Sequence, residues 1–346
     1  MILTMSLIAG AALLLTLAIT PPLRDLARRR NWLDIPKGRK RHSAPTPFVG
    51  GWVIFGVFWL GMGAALLTLP EFAKEFQPFL LPIFAAHLVV FVGNLIDDFT
   101  PLRARFKFAI QITAALILWS GGLQIHTFYI PFYGSIDLIW PLSILATTLW
   151  LILIMNAMNF VDGMDGLAGG LATLTAIGLL YTAIALNILV VKVMAILVIA
   201  VTLGFLRYNF PKATTFMGDS GSQSLGFVFA VAAIYCPIKS YTVVAMFVPL
   251  LTLGVPLAEL VLTFFRRLFT GKSITRGDLR HSFHLLQTRG VGKLKIVLTF
   301  WAVAATLQIF AFTLFLFDRR IVFSILVLFM LIVAGWFLLL SRKEER

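Results

Sequence analysis

The sequence predicts an all-α, polytopic membrane protein, and three observations lead to this fold class. Of the 346 residues, 60% are hydrophobic and only 13% are charged, whereas soluble domains carry roughly 25% charged residues. The mean hydropathy is +0.94. Apolar stretches of about 20 residues, enough to cross a hydrocarbon core of roughly 30 Å, recur throughout the chain. We therefore expect residues 1–346 to form a single integral membrane domain.

About eleven membrane spans are predicted from these apolar stretches. They cover roughly residues 1–20, 48–69, 79–96, 106–123, 138–158, 167–186, 188–206, 222–238, 242–265, 294–317 and 321–340. We do not expect the first span to be a cleaved signal peptide. It lacks a basic leading segment, and Pro21-Pro22 leads into a basic loop instead of a small-residue cleavage site.

Basic residues are divided unequally between the two sides of this arrangement. With the N-terminus outside and the C-terminus in the cytoplasm, 24 of the 29 Lys and Arg residues fall on the inner side. Positive residues favour cytoplasmic loops, so this orientation is predicted. The inner segments expected to carry the active site are about 21–47, 97–107, 156–170, 207–222 and 266–293. The net charge of +14 then suits anionic headgroups of the lipid bilayer, and no nucleic-acid partner is expected.

Polar residues recur every three positions at the inner end of the fifth predicted span. They are Asn156, Asn159, Asp162 and Asp165. On a straight helix such a row drifts by about 60° per step, so the four would not face one point. A glycine follows each aspartate. We expect these glycines to break the helix and to turn both acids toward a common site.

Two further acidic segments lie on the same predicted side. Asp97 and Asp98 are adjacent at the end of the third span, where such a pair suits a divalent cation, a shared proton or a solvated loop start. Asp219 and Ser220 precede the eighth span. They are typical of a helix N-cap, or, with Gly218 and Gly221, of a loop whose backbone approaches phosphate.

A basic segment lies on the same predicted side as these acidic segments. Arg280, His281 and His284 supply guanidinium and imidazole donors that suit phosphate oxygens. Hard oxygen ligands, basic donors and glycine turns on one membrane face predict a cytoplasm-facing site for phosphorylated substrates. The expected cofactor is Mg²⁺, with Mn²⁺ as the alternative.

These motifs resemble those of the polyprenyl-phosphate N-acetylhexosamine-1-phosphate transferases, the glycosyltransferase 4 family, to which the phospho-N-acetylmuramoyl-pentapeptide transferases are related. The resemblance rests on Asp97-Asp98, on the NxxNxxDGxDGLAGG run of residues 156–170 and on the FMGDSGS run of residues 216–222. It covers about residues 31–290.

The resemblance implies transfer of a sugar-1-phosphate, typically GlcNAc-1-phosphate, from a UDP-sugar to undecaprenyl phosphate with release of UMP. It implies a multi-pass protein of the bacterial cytoplasmic membrane, acting with Mg²⁺ in the first membrane step of cell-surface polysaccharide synthesis, and it suggests a homodimer. Carried over by position, the essential acids are Asp97, Asp98 and Asp162, and the metal ligands are Asp219 and Asn159. Asp165, Asn209 and Phe216 would bind the nucleotide, with Phe216 stacking on uracil, and Lys107, Arg280, His281 and His284 would contact the rest of the substrates.

Two alternatives stay open. A muramoyl-pentapeptide substrate is disfavoured because the proline followed two residues later by three histidines, which those enzymes show, is absent, and because Pro101 replaces one of their lysines. Phe283 replaces a histidine of the GlcNAc-type members. A secondary transporter or lipid flippase would use buried acids as a proton relay, but would place them near the midplane in repeated halves. Glu259 is the one acid inside a predicted span, and we interpret it as a structural ion-pair or helix-end residue.

Overall fold

The computed structural model describes residues 1–35, 44–130, 134–239, 250–251, 253–269, 282–313, 316 and 324. Within these residues the protein is mostly helical, as predicted. The helices are α1 (Ile2–Arg29), α2 (Gly50–Thr68), α3 (Pro70–Phe99), α4 (Ala104–Ser120), α5 (Trp140–Val161), α6 (Leu167–Ala185), α7 (Leu189–Asn209), α8 (Gly218–Lys239), α9 (Gly254–Phe269), α10 (Ser282–Thr288) and α11 (Lys293–Thr313).

Two short antiparallel strand pairs interrupt the helical pattern in the described residues. Strand β1 (Leu33–Asp34) pairs with β2 (Thr46–Pro47), next to the C-terminal end of α1. Strand β3 (Thr127–Ile130) pairs with β4 (Gly134–Asp137) between α4 and α5. Both pairs lie in segments predicted as loops, and neither changes the helical fold class.

Seven of the described helices are long and apolar enough to cross a membrane, namely α1, α2, α3, α5, α6, α7 and α11. Each coincides with a predicted span, and α4 and α8 coincide with two more. Helix α9 covers part of the ninth predicted span. Residues 242–249 of that span and, apart from residue 324, the eleventh predicted span lie outside the described residues.

Helix α1 is longer than predicted, because it continues through Pro21 and Pro22 to Arg29. A proline inside a helix removes one N–H donor and leaves the carbonyl four residues earlier without its helical partner. For Pro21 that carbonyl belongs to Leu17, and the Tyr208 hydroxyl of α7 donates to it at 2.7 Å. The inner segment predicted to begin at residue 21 therefore starts as helix.

Helix α8 lies at the centre of the bundle and packs against α2, α3 and α5. Every residue from 220 to 236 is buried. A helix that is covered on all sides is held by its neighbours along its whole length. Its N-terminal turn, where Asp219 lies, is therefore fixed against the C-terminal ends of α3 and α5.

Candidate active site

The acidic side chains of three separate sequence segments line one cavity of about 440 Å³. They are Asp97 and Asp98 from α3, Asp162 and Asp165 from the α5–α6 turn, and Asp219 from α8. Lys107, Asn209 and Phe216 also line this cavity, together with Asp34, Phe48, Gln287 and Lys293, which were not predicted. The structure therefore brings the five predicted aspartates together at one cavity.

The predicted break between α5 and α6 is present. Helix α5 ends at Val161, and α6 begins at Leu167 after Gly166, whose φ is +77°. This left-handed conformation is accessible to glycine at little cost. The break places both Asp162 and Asp165 on the cavity wall.

Lys107 joins two of the aspartates by ion pairs. Its Nζ lies 2.5 Å from Asp97 Oδ2 and 2.7 Å from Asp219 Oδ2. The Leu102 backbone N–H donates to Asp97 Oδ1 at 2.6 Å. Asp97 is 8% exposed, whereas the side chains of Lys107 and Asp219 are each 32% exposed. The ammonium group therefore offsets the charge of two carboxylates at the cavity surface.

Asp98 binds the first turn of α8 with both carboxylate oxygens. Its Oδ1 accepts the Asp219 backbone N–H at 2.6 Å, and its Oδ2 accepts the Ser220 N–H at 3.2 Å. Asp98 thus satisfies two of the N–H groups that a helix leaves unpaired at its N-terminus. The N-cap role considered for Asp219 and Ser220 is wrong, because both are inside the helix and the cap comes from α3.

The close approach of Asp98 to α8 depends on Gly218. This residue has a φ of +73°. A Cβ atom at position 218 would lie 2.7 Å from Asp98 Oδ2, which is closer than such atoms normally pack. The glycine therefore provides both the turn and the room for the carboxylate.

Asn159 lies behind Asp219 and is not among the described residues that line the cavity. Its Nδ2 donates to Asp219 Oδ1 at 3.1 Å and to Ser222 Oγ at 3.0 Å. In this arrangement the amide orients the Asp219 carboxylate.

Asn209 and Asp165 connect the α5–α6 turn to the loop before α8. Asn209 Oδ1 accepts the Gly166 N–H at 2.8 Å, and its Nδ2 donates to the Thr215 carbonyl at 3.0 Å. Asp165 Oδ2 accepts the Ala213 N–H at 3.3 Å. Both side chains therefore hold the loop that carries Phe216.

The backbone of Phe216 is fixed on both sides. Its N–H donates to the Pro47 carbonyl at 2.7 Å, and its carbonyl accepts the Gly50 N–H at 3.0 Å. The side chain is partly buried and forms part of the cavity wall. An aromatic ring held in this way offers a face on which a planar base can stack.

Burial and crowding raise the pKa of Asp162 well above its ordinary value. Burial is the largest cause, and the negative charges of Asp219, Asp98 and Asp165 add to it. The crowded acids make the cavity a place where added positive charge is stabilising.

The predicted basic segment lies largely outside the described residues, which exclude Arg280 and His281. His284 belongs to α10, but its side chain is not described. Phe283, which replaces a family histidine, is fully buried, and its ring centroid lies 6.4 Å from that of Phe300. Phe283 therefore packs inside the protein, against α11.

Lys293 is a basic residue of the cavity wall that was not predicted from the sequence. It begins α11 and is exposed. A cation at the N-terminus of a helix is disfavoured by the helix dipole. Two sequence signals point to Lys293, namely this unfavourable position and its place at the end of the predicted active-site segment 266–293.

Fold and site together define a helical membrane protein with an acidic cavity at the ends of its apolar helices. Residues 80–237 match the model of glycosyl transferase family 4. Over 323 residues the chain is 31% identical to the probable undecaprenyl-phosphate N-acetylglucosaminyl 1-phosphate transferase of Bacillus subtilis, covering 93% of this chain and 87% of the relative. The chain belongs to glycosyl transferase family 4.

Two other relatives differ in the substrates that their names give. The decaprenyl-phosphate N-acetylglucosaminephosphotransferase of Mycobacterium tuberculosis is 35% identical over 320 residues, covering 85% of this chain and 78% of the relative. The phospho-N-acetylmuramoyl-pentapeptide-transferase of Desulforudis audaxviator is 29% identical over 334 residues, covering 87% of this chain and 95% of the relative. One relative named for GlcNAc and one named for the muramoyl pentapeptide therefore each match most of the chain.

Proposed function

We propose that this protein transfers GlcNAc-1-phosphate from UDP-GlcNAc to undecaprenyl phosphate, giving undecaprenyl-pyrophosphoryl-GlcNAc and UMP. The observation that carries the proposal is the single cavity that unites the acids of the three family motifs. The names of the Bacillus and Mycobacterium relatives support GlcNAc as the sugar and a polyprenyl phosphate as the acceptor. Pro101, at the position where the muramoyl-pentapeptide enzymes carry a lysine, supports GlcNAc over the muramoyl-pentapeptide substrate.

The proposed cofactor is Mg²⁺, with Mn²⁺ as the alternative, and the chemistry of the cavity fits such an ion. Carboxylate oxygens are ligands that Mg²⁺ prefers, and it usually shares them with substrate phosphates and water. No group of three or more His, Cys, Asp or Glu side chains in the described part of the chain is arranged to hold a metal. We therefore propose that substrate phosphates complete the site around Asp219. When bound, the ion neutralises charge on the phosphate oxygens.

The residues of the chain would mainly position the reacting groups. A phosphate monoester has a second pKa near 6, so the lipid phosphate is mostly dianionic at neutral pH and requires little help from a base. We favour a single displacement, in which a lipid phosphate oxygen bonds to the β-phosphorus while the bond from that phosphorus to UMP breaks. Asp97, paired with Lys107, would then position the lipid phosphate, and Asp98 would hold α8 in place.

The nucleotide would bind beside the loop fastened by Asn209 and Asp165. The Phe216 ring would stack on uracil, since it lines the cavity and its backbone is fixed. Lys293 is a further proposed phosphate contact, because it adds positive charge to a cavity lined by six aspartates. Arg280, His281 and His284 remain proposed phosphate contacts on the strength of the family resemblance.

We further propose eleven spans, with the N-terminus outside, the C-terminus inside and the cavity facing the cytoplasm of a bacterial cell. The distribution of basic residues supports this orientation. The distribution of acids argues against a transporter, because the paired acids meet at helix ends. A homodimer is proposed from the family resemblance.

An assay of the purified protein with a panel of UDP-sugars tests the proposal. Undecaprenyl phosphate, Mg²⁺ and each UDP-sugar are supplied together, and UMP release is measured. We expect release with UDP-GlcNAc and none with UDP-MurNAc-pentapeptide. Release of UMP with the muramoyl substrate alone would contradict the proposed sugar. No release of UMP with any UDP-sugar would contradict the proposed transferase activity.

A further inference from the structure

Two buried amide side chains and one half-buried amide form a continuous hydrogen-bonded layer between α4, α5 and α8. Asn156 Nδ2 donates to Gln111 Oε1 at 3.0 Å, and Gln111 Nε2 donates to Gln223 Oε1 at 3.1 Å. Gln111 and Gln223 are each 2% exposed. Asn156 Nδ2 also donates to the carbonyl of Ile152 at 2.7 Å. The layer therefore joins three helices through Asn156, which is half-buried, and two glutamines that are removed from solvent.

The layer repeats the geometry of the site one helical turn away. Gln111 follows Lys107 by four residues on α4, and Gln223 follows Asp219 by four on α8. Asn156 precedes Asn159 by three residues on α5. The order is reversed because α5 ends at the site, whereas α4 and α8 begin there. Residues three and four apart lie on the same face of a helix. Each amide therefore lies directly beneath one member of the site.

The three site residues one turn from the layer are Lys107, Asn159 and Asp219, and they lie on the same three helices. Lys107 and Asn159 both contact the Asp219 carboxylate, at 2.7 Å and 3.1 Å. An α-helix behaves as a rigid element over one turn, so a rotation of α4 or α5 that broke the amide layer would also move Lys107 or Asn159. The layer and the site are therefore geometrically coupled.

Burial of Gln111 and Gln223 favours one arrangement of the hydrogen bonds in the layer. A buried amide without a hydrogen-bond partner is costly, because no water replaces the lost bond. Gln111 uses its acceptor toward α5 and its donor toward α8, so a shift of either helix leaves a buried amide unpaired. None of the three amides is among the described residues that line the cavity.

We propose that Gln111, Asn156 and Gln223 form a positioning layer that sets the distances from Lys107 and Asn159 to Asp219. The three are positioning residues, since none of them is among the described residues that line the cavity and they act through the residues one turn away. The inference rests on the proposed function, because it assigns the layer a part in the transfer reaction.

The test compares Gln111→Met, Gln223→Met and the double variant in the full-length purified protein. Methionine is similar in size to glutamine but cannot make the amide–amide bond. The matched control is Thr173→Val, because Thr173 and Thr202 share a buried hydroxyl contact of 2.8 Å between α6 and α7, away from the cavity. Thermal stability, kcat and KM for UDP-GlcNAc are measured for each.

We expect each Met variant to lower kcat by about tenfold or more, because small misplacements of catalytic groups are costly. KM should stay within about twofold, since the layer does not contact the nucleotide. The double variant should be no worse than the poorer single variant, because both remove the same bond. Thr173→Val should lose stability to a similar degree and keep its kcat.

An unchanged kcat in either single variant would overturn the inference, as would a control that loses kcat in step with stability. If the Met variants do not fold, Gln111→Asn is measured instead. Its amide is one methylene too short to reach both partners, and the same drop in kcat is expected. A wild-type protein that releases no UMP from UDP-GlcNAc contradicts the proposed function itself, whereas an active wild type with fully active variants contradicts only the positioning layer.

Discussion

At the scale of single residues, Asp219 is the carboxylate on which most of the site converges. It binds Lys107, Asn159 and, through its backbone N–H, Asp98. We expect Asp219→Asn to lower UMP release by at least about a hundredfold at saturating Mg²⁺, which is the scale expected for losing a key electrostatic group.

Asp137→Asn is the matched control for Asp219→Asn. Asp137 is exposed on β4 and accepts a hydrogen bond from the Thr127 hydroxyl, away from the cavity. This variant should keep its activity. Near-normal UMP release by Asp219→Asn would contradict the metal role proposed for Asp219.

Phe216 tests nucleotide binding separately from chemistry. We expect Phe216→Ala to raise the KM for UDP-GlcNAc by about tenfold, since stacking of a base on an aromatic ring contributes roughly 1–3 kcal/mol. The kcat should change little, because the ring does not contact the reacting phosphorus in this proposal. Phe216→Tyr keeps the ring and should keep the KM. Equal KM values for the Ala variant and the wild type would contradict the proposed stacking of uracil on Phe216.

At the scale of elements, the junction between α3 and α8 depends on the glycine turn. We expect Gly218→Ala to destabilise the protein by roughly 1–3 kcal/mol, the cost of forcing a side chain into a left-handed conformation. It should also lower kcat, because the added methyl group pushes Asp98 away from α8.

Thermal unfolding in detergent measures the effect of Gly218→Ala against that of Gly56→Ala. Gly56 lies in α2, and a Cβ there would meet no atom within 4 Å. The control should be neutral or slightly stabilising, since alanine is a better helix former than glycine. Equal unfolding temperatures for the two variants would refute the close approach of Asp98.

The sequence predicted those features that depend on local periodicity. Apolar stretches located the helices, and the glycines after Asp162 and Asp165 correctly located the break between α5 and α6. The Asp98 cap was not predictable, because it joins residues 121 apart in the chain. The continuation of α1 through Pro21 was missed for the same reason, since its compensating donor, Tyr208, lies 191 residues from Leu17.

At the scale of the whole molecule, the orientation in the membrane can be tested at the two ends of α7. Asn187 and Lys212 flank this helix, and both are exposed. The native Cys236 is buried and should contribute little background labelling. We expect Asn187→Cys to react with a membrane-impermeant maleimide in intact cells, and Lys212→Cys to react only after permeabilisation. The reverse pattern would invert the proposed topology.

The central claim is that the bond broken lies between the β-phosphorus and UMP, and one labelled substrate tests this most directly. The purified protein is given undecaprenyl phosphate, Mg²⁺ and UDP-GlcNAc labelled with ³²P at the β-phosphorus. The account predicts that the label moves into the lipid and that unlabelled UMP appears in equal amount. Release of labelled UDP, or label that stays in the aqueous phase, would contradict the account.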